Sequence, residues 1–407
     1  YSAAKGIGRL TSRLSKNFAD QVIESIMELF SLWESDMTWH GGCLALAELA
    51  VFIFIRHGLL LPQRLSSVLP FMEQAMLYDE LRGNFSVGLA VRDAACYLCW
   101  ALARSYDPSL LQPFVHQLAK ALVITTVFDR TRRSTGHFSS RHRHSDHLRL
   151  VRLRKNAYLQ LSLFVAQYEE YRPHLIQHLV DRKVIHWDTV IRQLTSQALH
   201  QMTFLDPESM KLILSTQILP RCTNSELYLR HGSILASGKV ISALCQVAKD
   251  HQRGVDQVTL AVIFRTLIDG LEDYTVDSRG DIGAIVREST MSSIQVLTNT
   301  SQPELLEADL IRSVLHAVAK QSTEQIRRTR DPTIPHIEQL EELRSIIPPP
   351  PLDISTEKEC FDLWMKVMRL DTYRKAVITG LVSSIGSLTE SLVKSSSTSS
   401  KLTIARF

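Results

Sequence analysis

Apolar positions along the chain fall at helical steps. In "NFADQVIESIMELFSLW", Val22, Ile23, Ile26, Met27 and Phe30 recur three and four residues apart, the spacing that lines one face of an α-helix. Similar stretches predict helices near 62–78, 89–105, 108–128, 155–169, 187–204, 207–219, 225–249, 255–271, 280–298, 303–328, 357–369 and 372–394. No convincing period-two alternation marks a strand. Pro108, Pro207, Gly254, Pro303 and Pro332 punctuate the run, as helix breakers do. "IIPPPP" at 346–351 is extended by its prolines and reads as a linker, and "KSSSTSSK" as flexible polar chain.

Five of the predicted helices share a pattern. "VRDAACYLCWALA", "VIRQLTSQALHQM", "YLRHGSILASGKVI", "IVRESTMSSIQVL" and "YRKAVITGLVSSIG" each place an arginine after an apolar or aromatic residue, at Arg92, Arg192, Arg230, Arg287 and Arg374. "WHGGCLALAELA" fits with His40 in the arginine's place. Small residues and leucines follow on one face, which lets helices approach closely, and the arginine is placed to cap or bridge to the next unit. This predicts an all-α fold, a HEAT/armadillo-type α-solenoid of stacked helix pairs. Spacings of 52, 100, 38, 57 and 87 residues leave room for insertions. The expected organisation is helical repeats over 1–128, an irregular Arg/His-rich segment at 129–153, helical repeats over 154–345, a Pro-rich linker at 346–356, a helical pair at 357–394 and a flexible tail at 395–407.

With 407 residues, 45% of them hydrophobic and 22% charged, the chain is globular but too long for one ordinary core. The net charge of +4 is local. The segment 130–155 alone carries eight Arg and one Lys against Asp146, so the remainder is mildly acidic and a general polyanion-binding surface loses support. Cys43, Cys96, Cys99, Cys222, Cys245 and Cys360 are scattered in apolar contexts and are expected as free thiols in a reducing compartment. The longest uninterrupted apolar run, "LAVFIFI" at 49–55, is too short to span a bilayer. The chain opens at Tyr1 on helix-like sequence and reads as part of a longer protein.

Few residues suggest chemistry. Cys96 and Cys99 lie one turn apart on a Leu/Ala/Trp helix with no second ligand pair, which favours packing over zinc or redox work. "KGIGRL" at 5–10 has no preceding strand and no phosphate-binding Lys-Ser/Thr. His137, His142, His144 and His147 lack the carboxylate or cysteine company of a metal site, and no aromatics interleave the arginines there for base stacking. No nucleophile–base set is recognisable, so neither a catalytic site nor a cofactor is expected. "YTVDSRGDIGAIVRES" has two readings that stay open: a helix cap supplied by an Asp, or a partner-facing loop presenting Asp277, Arg279 and Asp281.

"YSAAKGIGRL", "WHGGCLALAEL", "RHGLLLP", "VRDAACYLCWALAR", "HWDTVIRQLTSQALH", "LRHGSILA" and "VDSRGDIGAIVRE" occur in this order and resemble the tubulin-folding cofactor D family. The resemblance runs from residue 1 to about 300 and is less distinctive beyond. It implies a cytoplasmic, microtubule-associated, non-catalytic scaffold that binds β-tubulin. It also implies that the scaffold works with cofactors C and E and an Arf-like small GTPase to assemble αβ-tubulin and stimulate its GTP hydrolysis. It implies no nucleic acid, no membrane and no catalytic residue. Other HEAT scaffolds (transport or regulatory subunits), or nucleic-acid binding through the basic segment, are the alternatives.

The basic segment departs from the family. With synonymous codons chosen for Arg132 to His147, reading one base later yields VGRQGTFPHGIDILT, which resembles the family at this point. Residues 131–153 are therefore expected to be out-of-frame translation across a mis-assigned splice junction that also removes a helix. Such a loss uncovers several apolar side chains at about 1.5–3 kcal/mol each. "AVFIF" at 50–54 also looks inserted. Sequencing the transcript across codons 131–153 should recover the shifted frame; an in-frame message encoding the Arg/His run would refute it.

Overall fold

The structure, a computed structural model, describes residues 1–31, 33–57, 65–82, 85–128, 155–251, 255, 257–278, 280–300, 307–321 and 365–384. The described part is overwhelmingly helical, the all-α architecture its periodicity predicts. It divides into two compact units, Tyr1–Leu175 and Ile176–Phe407. The Arg/His-rich segment, the histidines within it, the Pro-rich run, the C-terminal tail and Cys360 lie outside the described residues.

In the first unit, α1 (Ser2–Thr11), α3 (Asp36–His57) and α5 (Leu89–Ser105) lie side by side, α3 packed on both others. Behind them stand α2 (Lys16–Met27), α4 (Leu65–Met76) and α7 (Val115–Phe128), with the short α6 (Pro108–Leu111) leading into α7. Neighbours on several sides explain why α3 is apolar around most of its circumference. Trp39, Cys43, Leu46, Leu49 and Ala50 are all buried there, against Ile23, Val68, Met72, Val91 and Leu98 from the flanking helices and Phe30 from the connection after α2. The "AVFIF" stretch continues α3 without a break as far as His57. The stretch Pro108–Phe128 is long and apolar enough, by length and composition, to cross a membrane; here Leu118 and Ala121 join the core of the unit. α8 (Ser162–Ala166) follows one π-turn, and α9 (Arg172–His178) runs into another.

The second unit repeats the plan. α10 (Thr189–Thr203), α12 (Leu227–His251) and α14 (Ala284–Thr300) form a row, with α12 in the middle. α11 (Pro207–Ile213), α13 (Gln257–Leu271) and α15 (Ala308–Gln321) back it, and α15 packs on α16 (Asp371–Ser384). Small side chains carry the contacts along the row: Ser233, Ala236 and Ser237 of α12 and Ser289 and Ser293 of α14 are buried. Prolines and aspartates set the helix starts. Pro108 and Pro207 occupy first-turn positions, and Asp107, Asp188 and Asp206 accept the exposed amides of Ser109, Val190 and Ser209, each such cap being worth about 0.5–2 kcal/mol.

One expectation needs correcting. Two antiparallel hairpins are present: β1 (Glu80–Arg82) with β2 (Phe85–Val87), and β3 (Val276–Asp277) with β4 (Gly280–Asp281). At two or three residues, their strands are too short for alternation to register in sequence.

Leu49 is fully buried where α3 meets its neighbours. Leu49→Ala should cost the first unit about 2–5 kcal/mol of unfolding free energy, the range for deleting a well-packed leucine, measured by denaturant titration.

Candidate functional site

The arginines named above form one geometric series. Arg192, in the first turn of α10, sends Nη1 back to the carbonyls of His186 (2.5 Å) and Trp187 (2.9 Å), six and five residues earlier. Arg230 of α12 does the same to Asn224 (2.7 Å) and Ser225 (3.0 Å). Arg374 of α16 reaches the carbonyl of Met368 (3.3 Å), again six residues back, and pairs with Asp371 (2.5 Å). Arg172, which the sequence reading passes over, belongs to the series: its Nε and Nη2 donate to Ala166 (2.7 Å) and Gln167 (3.2 Å). Its signal was the pair Tyr171-Arg172, matching Tyr373-Arg374, obscured by Pro173. His40 is half-buried in the opening turns of α3; beside it Asp36 pairs with Arg82 of β1 (2.8 Å).

Arg92 and Arg287 solve the same problem across a longer gap. Each donates Nη1 to a carbonyl fourteen residues back, Tyr78 for Arg92 and Asp273 (2.5 Å) for Arg287. A hairpin fills each gap. One turn before each arginine a glycine closes onto the same carbonyl: a Cβ at Gly88 would lie 2.5 Å from the Tyr78 oxygen, and at Gly283 2.2 Å from that of Asp273. Gly88 also holds φ at +133°, which costs other residues strain. "GLAVRD" and "GAIVRE" are thus the same device used twice.

Burial makes these arginines demanding. Arg287 is 0% exposed and Arg192 1%; a guanidinium without water needs every donor met. Arg287 gains Asp281 (2.7 and 3.3 Å) and the face of Tyr274. Arg230 gains Asp273 (2.6 Å). Burial lowers the Arg192 pKa to about 10, which leaves it charged at neutral pH.

Arg192 also begins a buried relay that the sequence did not reveal. Its Nε donates to His231 Nδ1 (3.0 Å), so the ring proton sits on Nε2 and is donated to Ser289 Oγ (2.8 Å); Ser289 Oγ lies 2.9 Å from the Ile285 carbonyl as its donor. One hydrogen-bonded line therefore ties α10, α12 and α14. Burial and the neighbouring Arg192 charge push the His231 pKa down to about 3, holding the ring neutral.

The loop reading of 274–289 divides. Asp281 accepts from the Ala284 amide (3.1 Å) and grips Arg287, so its carboxylate serves as cap and anchor. Asp277 is half-buried in β3, and Arg279 lies outside the described residues. Val276 is the most exposed apolar side chain among the described residues of the loop, 69% accessible. Cys43, Cys96, Cys99, Cys222 and Cys245 are free thiols; burial raises the pKa of Cys43 and Cys222 to about 12, which removes thiolate chemistry. No cluster of metal-binding side chains occurs among the described residues.

Comparison with known proteins identifies two family matches: "Tubulin-specific chaperone D-like, ARM repeats" over residues 1–136, and "Tubulin folding cofactor D C terminal" over 312–400. Tubulin-specific chaperone D of Dictyostelium discoideum is 35% identical over 267 residues, covering 60% of this chain and 18% of that protein. Tubulin-folding cofactor D of Schizosaccharomyces pombe is 28% identical over 244 residues, covering 53% and 22%. The chain spans about a fifth of the length of these relatives.

His231 gives a pH signature. Its folded pKa lies below its ordinary value of 6.5, so its contribution to stability is complete above that value and is lost as pH falls toward the folded pKa. Between pH 7.5 and 5.0 the loss should reach about 2 kcal/mol, at 1.36 kcal/mol per unit. His231→Gln should flatten that slope in urea titrations at the two pH values.

Proposed function

Since the chain belongs to the tubulin-specific chaperone D family, we propose that it acts as a non-catalytic scaffold that binds β-tubulin during αβ-dimer assembly. In this reading it works with cofactors C and E and an Arf-like small GTPase, in the cytoplasm and beside microtubules. Stimulation of tubulin GTP hydrolysis belongs to the assembled complex. The observation that carries the reading is the order of the two family matches, repeats first and C-terminal region last, on a chain built from stacked helices.

The chemistry is compatible with a scaffold. Buried arginines and the His231 relay fix helices to one another, and the free thiols are buried or half-buried. The proposed work is binding by distributed contacts, with the hairpin that carries Asp277 and Asp281 one edge available to a large partner.

Immobilised chain should retain β-tubulin released from chaperonin, saturably and above a bovine serum albumin control, with the Dictyostelium relative as positive control. Retention by the relative and none by this chain would overturn the proposal for this chain.

A further inference from the structure

Three helices of the second unit open at matching positions. From Ile191 to Leu199 every residue of α10 is buried except Gln193 and Gln197. From Arg230 to Cys245 of α12 the exceptions are Leu235 and Lys239, and from Val286 to Ile294 of α14 they are Glu288 and Ser292. Each pair is one turn apart on one side of its helix. The helices are in register: Arg192 meets His231 (3.0 Å), His200 meets the Lys239 carbonyl (2.8 Å) and Ser289 meets His231 (2.8 Å). The six side chains therefore share one narrow face, with α12 between its two neighbours and α11 and α13 behind. The row lies in the middle of the chain, with further described helices before and after it.

The polar groups of this face are uncommitted. Arg192, Arg230 and Arg287 are engaged in their own turns. Lys239 and Glu288 are the other Lys, Arg, Asp or Glu residues of the three helices whose side chains are described. Neither has an ion-pair or hydrogen-bond partner for its charged group among the described residues, and the amides of Gln193 and Gln197 are equally without one. Arg182, Lys183, Asp188 and Glu226, in the chain leading into α10 and α12, are two cations and two anions, so Lys239 and Glu288 set the charge pattern. A glutamine amide both donates and accepts, which suits the backbone N–H and C=O groups of an extended strand. A helical partner keeps those groups bonded internally, and a single lysine is too little for a phosphodiester chain.

We propose that this face binds an extended peptide segment lying along α12. Gln193, Gln197 and Ser292 bond its backbone, Lys239 takes a carboxylate and Glu288 takes a cation. The register fixes the spacing of those two charges. Glu288 stands near the level of His231, about eight residues or roughly 12 Å along the row from Lys239, on an axis about 8–10 Å to the side. The resulting separation of about 15 Å corresponds to roughly four to five extended residues, and of these only a spacing of four puts both side chains on one side of the strand. The inference does not rest on the tubulin reading: synthetic probes carry no tubulin sequence, so either can fail while the other stands.

The test is biolayer interferometry of the 407-residue chain against the immobilised peptides GSDGSGKSG, GSDGKGSSG and GSSGSGSSG. GSDGSGKSG should bind, and less tightly as salt rises. The closer charge spacing should bind about two- to fivefold more weakly, the scale of exposed charge pairs, and the uncharged peptide more weakly still. Lys239→Glu should switch the preference to GSKGSGKSG, and Glu288→Lys to GSDGSGDSG, a gain that misfolding does not produce. Lys375→Glu on α16 should bind as the parent does. Where a variant misfolds, the spacing comparison on the unaltered chain decides. No binding of GSDGSGKSG, indifference to spacing, or loss without the switch in variants of unchanged circular dichroism would each overturn the proposal. So would binding of decauridylate, or self-association of the chain, that Lys239→Glu abolishes, because the face would then belong to a nucleic acid or to a second copy.

Discussion

A guanidinium removed from water must find oxygen for its N–H groups, and most of this architecture follows from where those oxygens are. Each arginine of the series, buried or half-buried, sits near the start of one helix and takes carbonyls from the chain that precedes it. The bend between two helices is thereby fixed from within. Carbonyls that would otherwise be orphaned are used, and the arginine fork, which lysine lacks, lets one side chain hold two of them. Apolar burial supplies the greater part of the stabilisation. The arginines decide the angle at which each helix leaves its turn, and so which faces meet.

The His231 relay extends this logic from the turn to the row. Arg192 closes its own turn and, through one remaining donor, orients an imidazole on the next helix, which in turn holds a serine on the one after. Small residues on α12 and α14 permit the close approach this requires. The centre of the second unit is thus both polar and buried, a combination that the partners of Arg192, His231 and Ser289 make tolerable.

Much of this was legible beforehand because helix period and arginine position are local. Arg192, Arg230 and Arg374 carry their signal within one turn of sequence, and the carbonyls they reach are five or six residues away. Arg172 escaped because Pro173 masked the same signal. The hairpins escaped because two-residue strands have no period. His231 and Ser289 escaped for a different reason: their meaning lies fifty-eight residues apart in sequence, and a lone His or Ser on an apolar helix looks like any other. The edge-on contact of Tyr1 with Tyr97 was equally hidden, since the two are neighbours only after α1 and α5 have both packed on α3.

The two hairpin excursions, Tyr78 to Gly88 and Asp273 to Gly283, each depart from and return to a single carbonyl held by glycine and arginine together. Each excursion also sends a side chain back to the helices: Asp281 grips the buried Arg287 and caps α14, and Arg82 pairs with Asp36 in the first turn of α3. An epitope or reporter grafted into either hairpin would therefore have to spare these side chains, or the helix starts they hold would loosen with it.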